Sequence, residues 1–406
     1  MEDVTEGAGP QPEWLDFHHT APATLAGRYM RTFWQPVYHS DELPPGQAKP
    51  IKIMNVDYAL FRGTDGKPYL VQNRCPHRQL TLSAGWVEGS AIRCYYHGWK
   101  FDGTSGACVE QPAEPQPFCQ EVAIKTYPAQ DYLGMVFAYL GDAATGLPEL
   151  PRYPDFENFE GILEHDSYFR GCNFYNNLEN GLDLTHSGFV HRNNPGSFDG
   201  FTNAPAIQAK ESIWGVTVSS HWRDQMGMSQ IGMPNIFHHK AQPTDPTLAI
   251  YREFMAWWVP IDDHSHIQFT VAAVRMPPDK AASYLERRKT RLAKRIYSSA
   301  ELADKILRGE MRREDVDPET TDFVRMQDHI AQIGQGTIPD HSQDRLGRGD
   351  IGIAWIRKIW ARELRAFAEG KPLKQWRYDA EELAISRGEK WEAHRAEQMK
   401  APSAAE

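Results

Sequence analysis

Two pairs of ligand-type residues, Cys75-Pro-His77 and Cys94-Tyr-Tyr-His97, constrain this chain more than any other feature. Each pair sets a thiol and an imidazole close together on a tight loop, and His77 and Cys94 stand 17 positions apart. The order Cys, His, Cys, His fits poorly with structural zinc, which usually pairs Cys with Cys and His with His over short spacings. It suits a two-iron, two-sulfide cluster instead, one iron taking both sulfurs and the other both nitrogens, with each loop supplying one ligand of each kind. Neutral imidazoles in place of two thiolates make such a cluster less negative and raise its potential to roughly −150 to +300 mV. Gly98 lets the backbone turn close to the ligands, and Trp99 and Pro76 can shield the cluster from water. Cys108, Cys119 and Cys172 have no paired spacing and read as buried apolar thiols.

Five cysteines, an odd and small number, make no disulfide framework. A chain of 406 residues is long enough for two or three domains and for a core that needs no such staples. The formal charge of −10, with no long basic run, argues against a nucleic-acid partner. The longest apolar stretch, Met135 to Leu140, is far too short to span a bilayer. The acidic start MEDVTEGAGPQPEW is neither a secretory signal nor a transit peptide, so a cytoplasmic location is expected.

The chain divides by pattern into a tail and helix (1–33), a small β module (34–150), a larger α+β module (151–379) and a charged helix with tail (380–406). Thr20 is placed to cap a short helix over Ala21–Phe33. Short apolar runs, Ile51–Val56, Tyr58–Arg62 and Tyr69–Gln72, read as strands with Asp65-Gly66 as a hairpin turn. The proline-bearing stretch Gln111–Phe118 is a loop. Farther on, Asn176–His191 has helical spacing. Trp214–Trp222, Ala249–Val259 and Ile267–Val274 alternate like strands of one antiparallel sheet. Ala281–Arg313 and Ile351–Ala368 read as helices.

A second metal centre is indicated by Asp183-Leu-Thr-His186-Ser-Gly-Phe-Val-His191. A mononuclear iron(II) oxygenase needs two imidazoles and one carboxylate on one face of the metal, with the remaining positions open. Five residues of ideal helix would turn the two histidines roughly 140° apart. The helix must therefore widen or end between them, and Gly188 permits that. Glu179 and Asp183 are near enough in sequence to be considered as the carboxylate.

The motifs Cys75-Pro-His77-Arg and Cys94-Tyr-Tyr-His97-Gly-Trp, with the segment around Asp183, resemble the catalytic (α) subunit of Rieske non-haem iron aromatic-ring-hydroxylating oxygenases. The resemblance runs from about Trp34 to Lys358 and is nearest the phthalate, phenoxybenzoate and carbazole dioxygenase branch. It implies an α+β fold, with a small all-β Rieske domain plus a larger α+β catalytic domain whose antiparallel sheet is flanked by helices. It implies a [2Fe-2S] cluster on Cys75, His77, Cys94 and His97, and Fe(2+) on His186, His191 and Asp350, the aspartate that precedes the last long helix. Asp344, Asp340 and Asp328 rank below Asp350, in less regular surroundings, while Glu179 and Asp183 are set aside. Asp183 is expected to bridge His97 of a neighbouring subunit to His186, and Asn180 to line the entrance to the open iron positions.

O2 is the implied co-substrate. Electrons are expected from NAD(P)H through a flavin/iron-sulfur reductase, with or without a ferredoxin, in a homotrimer or trimer-based oligomer. The substrate is expected to be an aromatic small molecule. Trp214, Trp222, Met226, Met228, Met233, Ile236 and Phe237 are candidates for its walls, and Arg223 or Arg252 for a carboxylate clamp. Ring dioxygenation, monooxygenation or demethylation, and a bare Rieske electron carrier are the three readings, and the His186/His191 pair speaks against the last.

Overall fold

The computed structural model describes residues 12–192, 205–222, 225–239, 243–245, 250–381 and 383. The expected region 380–406 and the candidate clamp Arg223 therefore lie, but for three residues, outside the described residues. The short apolar runs of the N-terminal part fold into small antiparallel sheets. One orders β1 (Trp34–His39), β11 (Met135–Tyr139) and β10 (Ala129–Tyr132); another joins β2 (Ala48–Ile53), β3 (Val56–Arg62), β4 (Pro68–Gln72) and β9 (Thr126–Tyr127). The third, β5 (Trp86–Glu88), β6 (Ala91–Arg93), β7 (Lys100–Asp102) and β8 (Cys108–Glu110), is built of three-residue strands and carries the second ligand loop.

The apolar run Ile51–Val56 is not one strand. Met54 and Asn55 take positive φ (48° and 67°) and turn β2 back on β3. Arg31, buried, donates to the Met54 carbonyl (2.7 Å) and so secures that turn from the first helix, α1 (Leu25–Met30). Thr24 rather than Thr20 caps α1, accepting from Gly27 N–H (3.2 Å). Thr20 instead donates both its N–H (2.8 Å) and its hydroxyl (3.3 Å) to Asp263, four residues before the cap position.

The second part is built on an eight-stranded antiparallel sheet. Its order is β12 (Gly161–Arg170), β19 (Ser265–Arg275), β18 (Ile250–Asp262), β16 (Ile236–His239), β15 (Gln225–Gly232), β14 (Gly215–Trp222) and β13 (Ala206–Glu211), with β17 (Pro243–Asp245) on β18. Helices α3 (Phe174–Leu182) and α8 (Ile351–Ala368) pack on it, with α4 (Ser187–Val190) and α7 (Phe323–Ile333) beside α3. Further helices among the described residues are α2 (Pro154–Glu157), α5 (Pro278–Ala293) and α6 (Ser299–Leu307). The fold is the expected α+β type, with a small all-β part preceding a larger one.

One buried apolar cluster runs through both parts, from Met30 and Val136 to Trp257 and Trp360. Burial of so many large side chains, at about 25 cal/mol per Å² of apolar surface, is the main force holding the two parts together. The seam is also hydrogen-bonded: Gln35 and Asn235 pair amide to amide (2.9 Å), and Asn235 donates to the Trp258 carbonyl. A second, smaller cluster forms around Phe61, Ile92, Trp99 and Phe101, and holds Cys75 and Cys94.

Candidate metal centres

The first ligand loop follows β4 and closes through Cys75 N–H to the Leu80 carbonyl and Gln79 N–H to the Cys75 carbonyl (2.9 and 2.8 Å). The second links β6 to β7 and repeats that closure, Cys94 N–H to Trp99 O and Gly98 N–H to Cys94 O (2.8 and 3.1 Å). Gly98 sits at φ +74°, and a Cβ there would come within 2.9 Å of Pro112. Only glycine fits both demands. Arg93 braces this loop: it donates to the Gly98 carbonyl (2.9 Å) while its other nitrogens hold Glu88 and Glu110.

The structure brings the four residues to one place. The His77 and His97 rings meet edge to face at 4.4 Å, and both cysteines are buried free thiols. Trp99 stacks on His77 (4.5 Å, 7°), as a shield would, but Pro76 is exposed. His97 Nδ1 is buried without a hydrogen-bond partner, a cost that a bound metal would remove. Burial, with Cys94 alongside, pushes the Cys75 thiol up to about 11, so a thiolate here needs a cation to compensate it. Two buried sulfurs and two imidazoles, one with an orphaned nitrogen, fit a [2Fe-2S] cluster of this mixed type.

The second centre is formed where α3 stops. Asp183 ends the helix because its Oδ1 accepts from Thr185 N–H (2.9 Å), the Thr185 hydroxyl (2.6 Å) and His186 N–H (3.2 Å). The break therefore falls before His186 and not at Gly188, which is buried inside the short α4. His186 and His191 flank that single turn, with rings 5.2 Å apart.

Both imidazoles are held at Nδ1. His186 Nδ1 bonds to the Asp183 main-chain carbonyl, and His191 Nδ1 to Gln327 Oε1 (2.9 Å). Each Nε2 is left pointing at Asp328 Oδ1, at 3.7 Å from His186 and 3.3 Å from His191. Among the described residues, this is the one group of three whose ligand atoms lie close enough together to hold a metal ion. Fixing Nδ1 to an acceptor leaves the Nε2 lone pair for a metal, the usual way such ligands are oriented. Burial alone would lower the His191 imidazole, but the Asp328 carboxylate and Gln327 outweigh it and raise it. Burial would raise Asp328, and His191, the Arg170 guanidinium and His186 outweigh that in turn.

Asp350, the expected third ligand, is not there. Its carboxylate accepts from Gly347 N–H (2.6 Å) in the turn leading into α8. Asp344 and Glu179 are both engaged by Arg357 (2.7 Å and 2.6 Å), and Asp340 by Ser342. Asn180 Nδ2 lies 3.5 Å from Asp328 Oδ1, so it contacts the carboxylate directly. Asp183 touches His186 through main-chain atoms, its carboxylate being used to cap the turn. The signal for Asp328 was polarity where a packed helix is usually apolar: Gln327 and Gln332 are buried on α7, and Asp328, four residues before Gln332, shares its face. Arg252 lies over Phe254 (5.3 Å) and near Glu164 (3.8 Å), so its charge is already met.

A cluster-type pair of loops and a two-histidine, one-carboxylate centre in one chain define the class of two-centre iron oxygenases. Comparison with known proteins agrees. Residues 33–128 match the family model of the Rieske [2Fe-2S] domain. The chain is 30% identical over 380 residues to the tert-butanol monooxygenase / tert-amyl alcohol desaturase oxygenase subunit of Aquincola tertiaricarbonis, covering 86% of this chain and 76% of that one. It is 28% identical over 367 residues to the 5,5'-dehydrodivanillate O-demethylase oxygenase subunit of Sphingobium sp. (87% and 80% covered). Identity to the phenoxybenzoate dioxygenase subunit alpha of Ectopseudomonas oleovorans is 29% over 374 residues (86% and 84%). The fold is shared with the terminal oxygenase of carbazole 1,9a-dioxygenase from Nocardioides aromaticivorans IC177, at a TM-score of 0.61 and 19% identity over 87% of this chain and 97% of that one. The chain belongs to the Rieske non-haem iron aromatic-ring-hydroxylating oxygenases, as a catalytic subunit. It is a terminal oxygenase that uses O2, a Rieske cluster and a mononuclear iron.

Proposed function

We propose that His186, His191 and Asp328 hold Fe(2+), that Cys75, His77, Cys94 and His97 hold the cluster, and that the substrate is an aromatic small molecule. The observation that carries the iron assignment is the convergence of two Nδ1-anchored imidazoles on one carboxylate. When bound, the mononuclear iron supplies oxygen activation and the cluster one-electron transfer. The chain supplies the rest. Gln327 and the Asp183 carbonyl keep the ring protons on Nδ1, so that both Nε2 atoms stay available. Asn180 steadies the Asp328 carboxylate, and Trp99 keeps water from His77.

In this reading the Asp183 carboxylate, whose Oδ1 accepts from Thr185 and His186, also accepts from His97 of a neighbouring subunit. Exposed aromatic side chains support such contact between copies: Trp86, Tyr95 and Tyr96 beside the cluster loops, and Phe169 and Phe189 near the second centre. A head-to-tail homotrimer is the closed ring this would make. A reductase drawing on NAD(P)H, directly or through a ferredoxin, is the electron source in this reading, and the cytoplasm its location. No described helix is long and apolar enough to cross a membrane.

Dioxygenation is the first reading. Demethylation or monooxygenation stands beside it because the relatives include an O-demethylase and a monooxygenase subunit. Oxygen-consumption screening of aromatic acids, ethers and heterocycles with a surrogate reductase, followed by product mass from labelled O2, separates them. Two labelled atoms in the product support dioxygenation and one refutes it. His186→Ala should keep the cluster's visible absorption and lose all turnover; retained turnover would refute the iron assignment.

A further inference from the structure

Two cysteines outside both centres are brought together by the fold. Cys108 Sγ on β8 lies 3.6 Å from Cys119 Sγ, although no motif spacing pairs them. Cys108 is buried as expected, whereas Cys119 is only partly so, which corrects the expectation of a buried thiol there. Their backbones are tied to one residue: Cys108 N–H donates to the Val122 carbonyl and Val122 N–H to the Cys119 carbonyl (both 3.1 Å).

The chain between them is the proline-bearing loop 111–118. It closes on itself through Phe118 N–H to Gln111 Oε1 (2.6 Å). Pro112 packs where Gly98 has no side chain, and the Phe118 ring meets Trp99 edge-on (5.3 Å, 84°). Trp99 in turn stacks on His77. The loop thus lies over the second ligand loop, and its two stems end at the paired thiols.

We propose that Cys108 and Cys119 are a modification site, a dithiol that closes reversibly to a disulfide and fastens loop 111–118 over the cluster-binding loops. Small side-chain rotations bring sulfurs at this separation to the bonding distance of about 2.05 Å. The oxidant is a small-molecule disulfide such as oxidised glutathione. The more exposed Cys119 thiolate attacks one of its sulfurs, the glutathione S–S bond breaks, and one glutathione leaves as the thiol with the proton. Cys108 sulfur then attacks Cys119 sulfur, expels the second glutathione and gives up its own proton. Two electrons and two protons pass from the pair to glutathione.

Bond formation does not depend on the proposed ligand sets, whereas its effect on the cluster does, and the test keeps the two apart. The iron-loaded full chain is incubated anaerobically with oxidised glutathione, alkylated with iodoacetamide and mapped by peptide mass spectrometry, with visible absorption followed in parallel. The expected result is a Cys108–Cys119 cross-link, reversed by dithiothreitol, with absorption unchanged. Cys108→Ser should trap glutathione on Cys119, and Cys119→Ser should give no cross-link. Iron release to a chelator should be at least about tenfold slower in the cross-linked form, since the bond restrains opening of a loop whose ends stand eleven positions apart in sequence. Two alkylated free thiols after prolonged incubation, or a lasting glutathione adduct in the unmodified sequence, would overturn the site. Equal rates of iron release would overturn the fastening. A colourless protein that still forms the cross-link would count against the cluster ligands and leave the pair standing.

Discussion

Asp328→Ala and Asp350→Ala separate the two carboxylates that compete for the third ligand position. In the donor set of His186, His191 and Asp328, the aspartate is the sole anion, with Oδ1 at 3.3 and 3.7 Å from the two Nε2 atoms. Its loss leaves a divalent cation with two neutral ligands, close enough to feel the buried Arg170 charge that acts on Asp328. Groups that merely orient a metal ligand are worth 10- to 100-fold in affinity. Removing a charged ligand should therefore weaken iron binding by more than about 100-fold, or about 2.7 kcal/mol. Asp350→Ala loses one hydrogen bond, from Gly347 N–H at 2.6 Å, worth about 1 kcal/mol of local stability. The assay is iron per chain after desalting, read beside cluster absorption. The unmodified chain and Asp350→Ala should hold about three irons, and Asp328→Ala about two with the cluster spectrum intact. Loss of the third iron in Asp350→Ala but not in Asp328→Ala would refute the assignment.

Other perturbations test the surroundings of the site. Gln327→Leu removes the acceptor that anchors His191 Nδ1 and should weaken mononuclear iron binding by about 10- to 100-fold, seen as iron lost to a chelator while the cluster stays coloured. Arg357→Ala strips buried Glu179 of its partner at 2.6 Å and should cost about 3–5 kcal/mol in urea unfolding; a change within error would mean that His341 and water suffice. Burial, then the Arg170 charge, holds the His266 imidazole down to about 3, and its neutral ring is fully used between the Cys172 carbonyl and Asn177. The unfolded chain takes up that proton near pH 6.5 and the native one does not, so stability should fall as pH drops from 6.5 toward 3, by about 1.4 kcal/mol per unit. Urea midpoints at pH 7, 6 and 5 should fall in that order, and His266→Gln should flatten the slope by close to one proton.

Much of the fold was legible because periodicity reports burial. Ile351–Ala368 read as one amphipathic helix and is α8 to the residue, and the alternating runs became β14, β18 and β19. The misreadings have local causes. An apolar run hid the turn at Met54-Asn55, since positive φ is tolerated by asparagine without any glycine to mark it. Thr20 and Thr24 are equally good caps on paper, and a contact 243 residues away, to Asp263, decides between them. The helix written across Asn176–His191 stops at Asp183 because an aspartate can cap the turn that follows it as easily as it can sit in a helix.

The missed carboxylate shows a different limit. Four cluster-type residues and two histidines could be picked out by short spacing, since each loop or turn carries its own members. Asp328 lies 137 positions beyond His191, and the distance in sequence conveys nothing about approach in space. What selects it is α7 crossing α3 and α4, and the mark of that crossing in the sequence is a violation of pattern. Gln327 and Gln332 are buried on α7 where a packed helix would usually place leucine or valine, and Asp328 lies one turn before Gln332 on the same face. Each has a use there: Gln327 on His191, Asp328 on both imidazoles, Gln332 on Asn177. Buried polar groups cost free energy unless they are paired, so polar residues buried on a helix imply partners of matching chemistry. Asp350 offered the opposite, a carboxylate at the start of a helix, where local hydrogen bonding already accounts for it. Of two candidate ligands, the one that ordinary secondary structure leaves unexplained is the better choice.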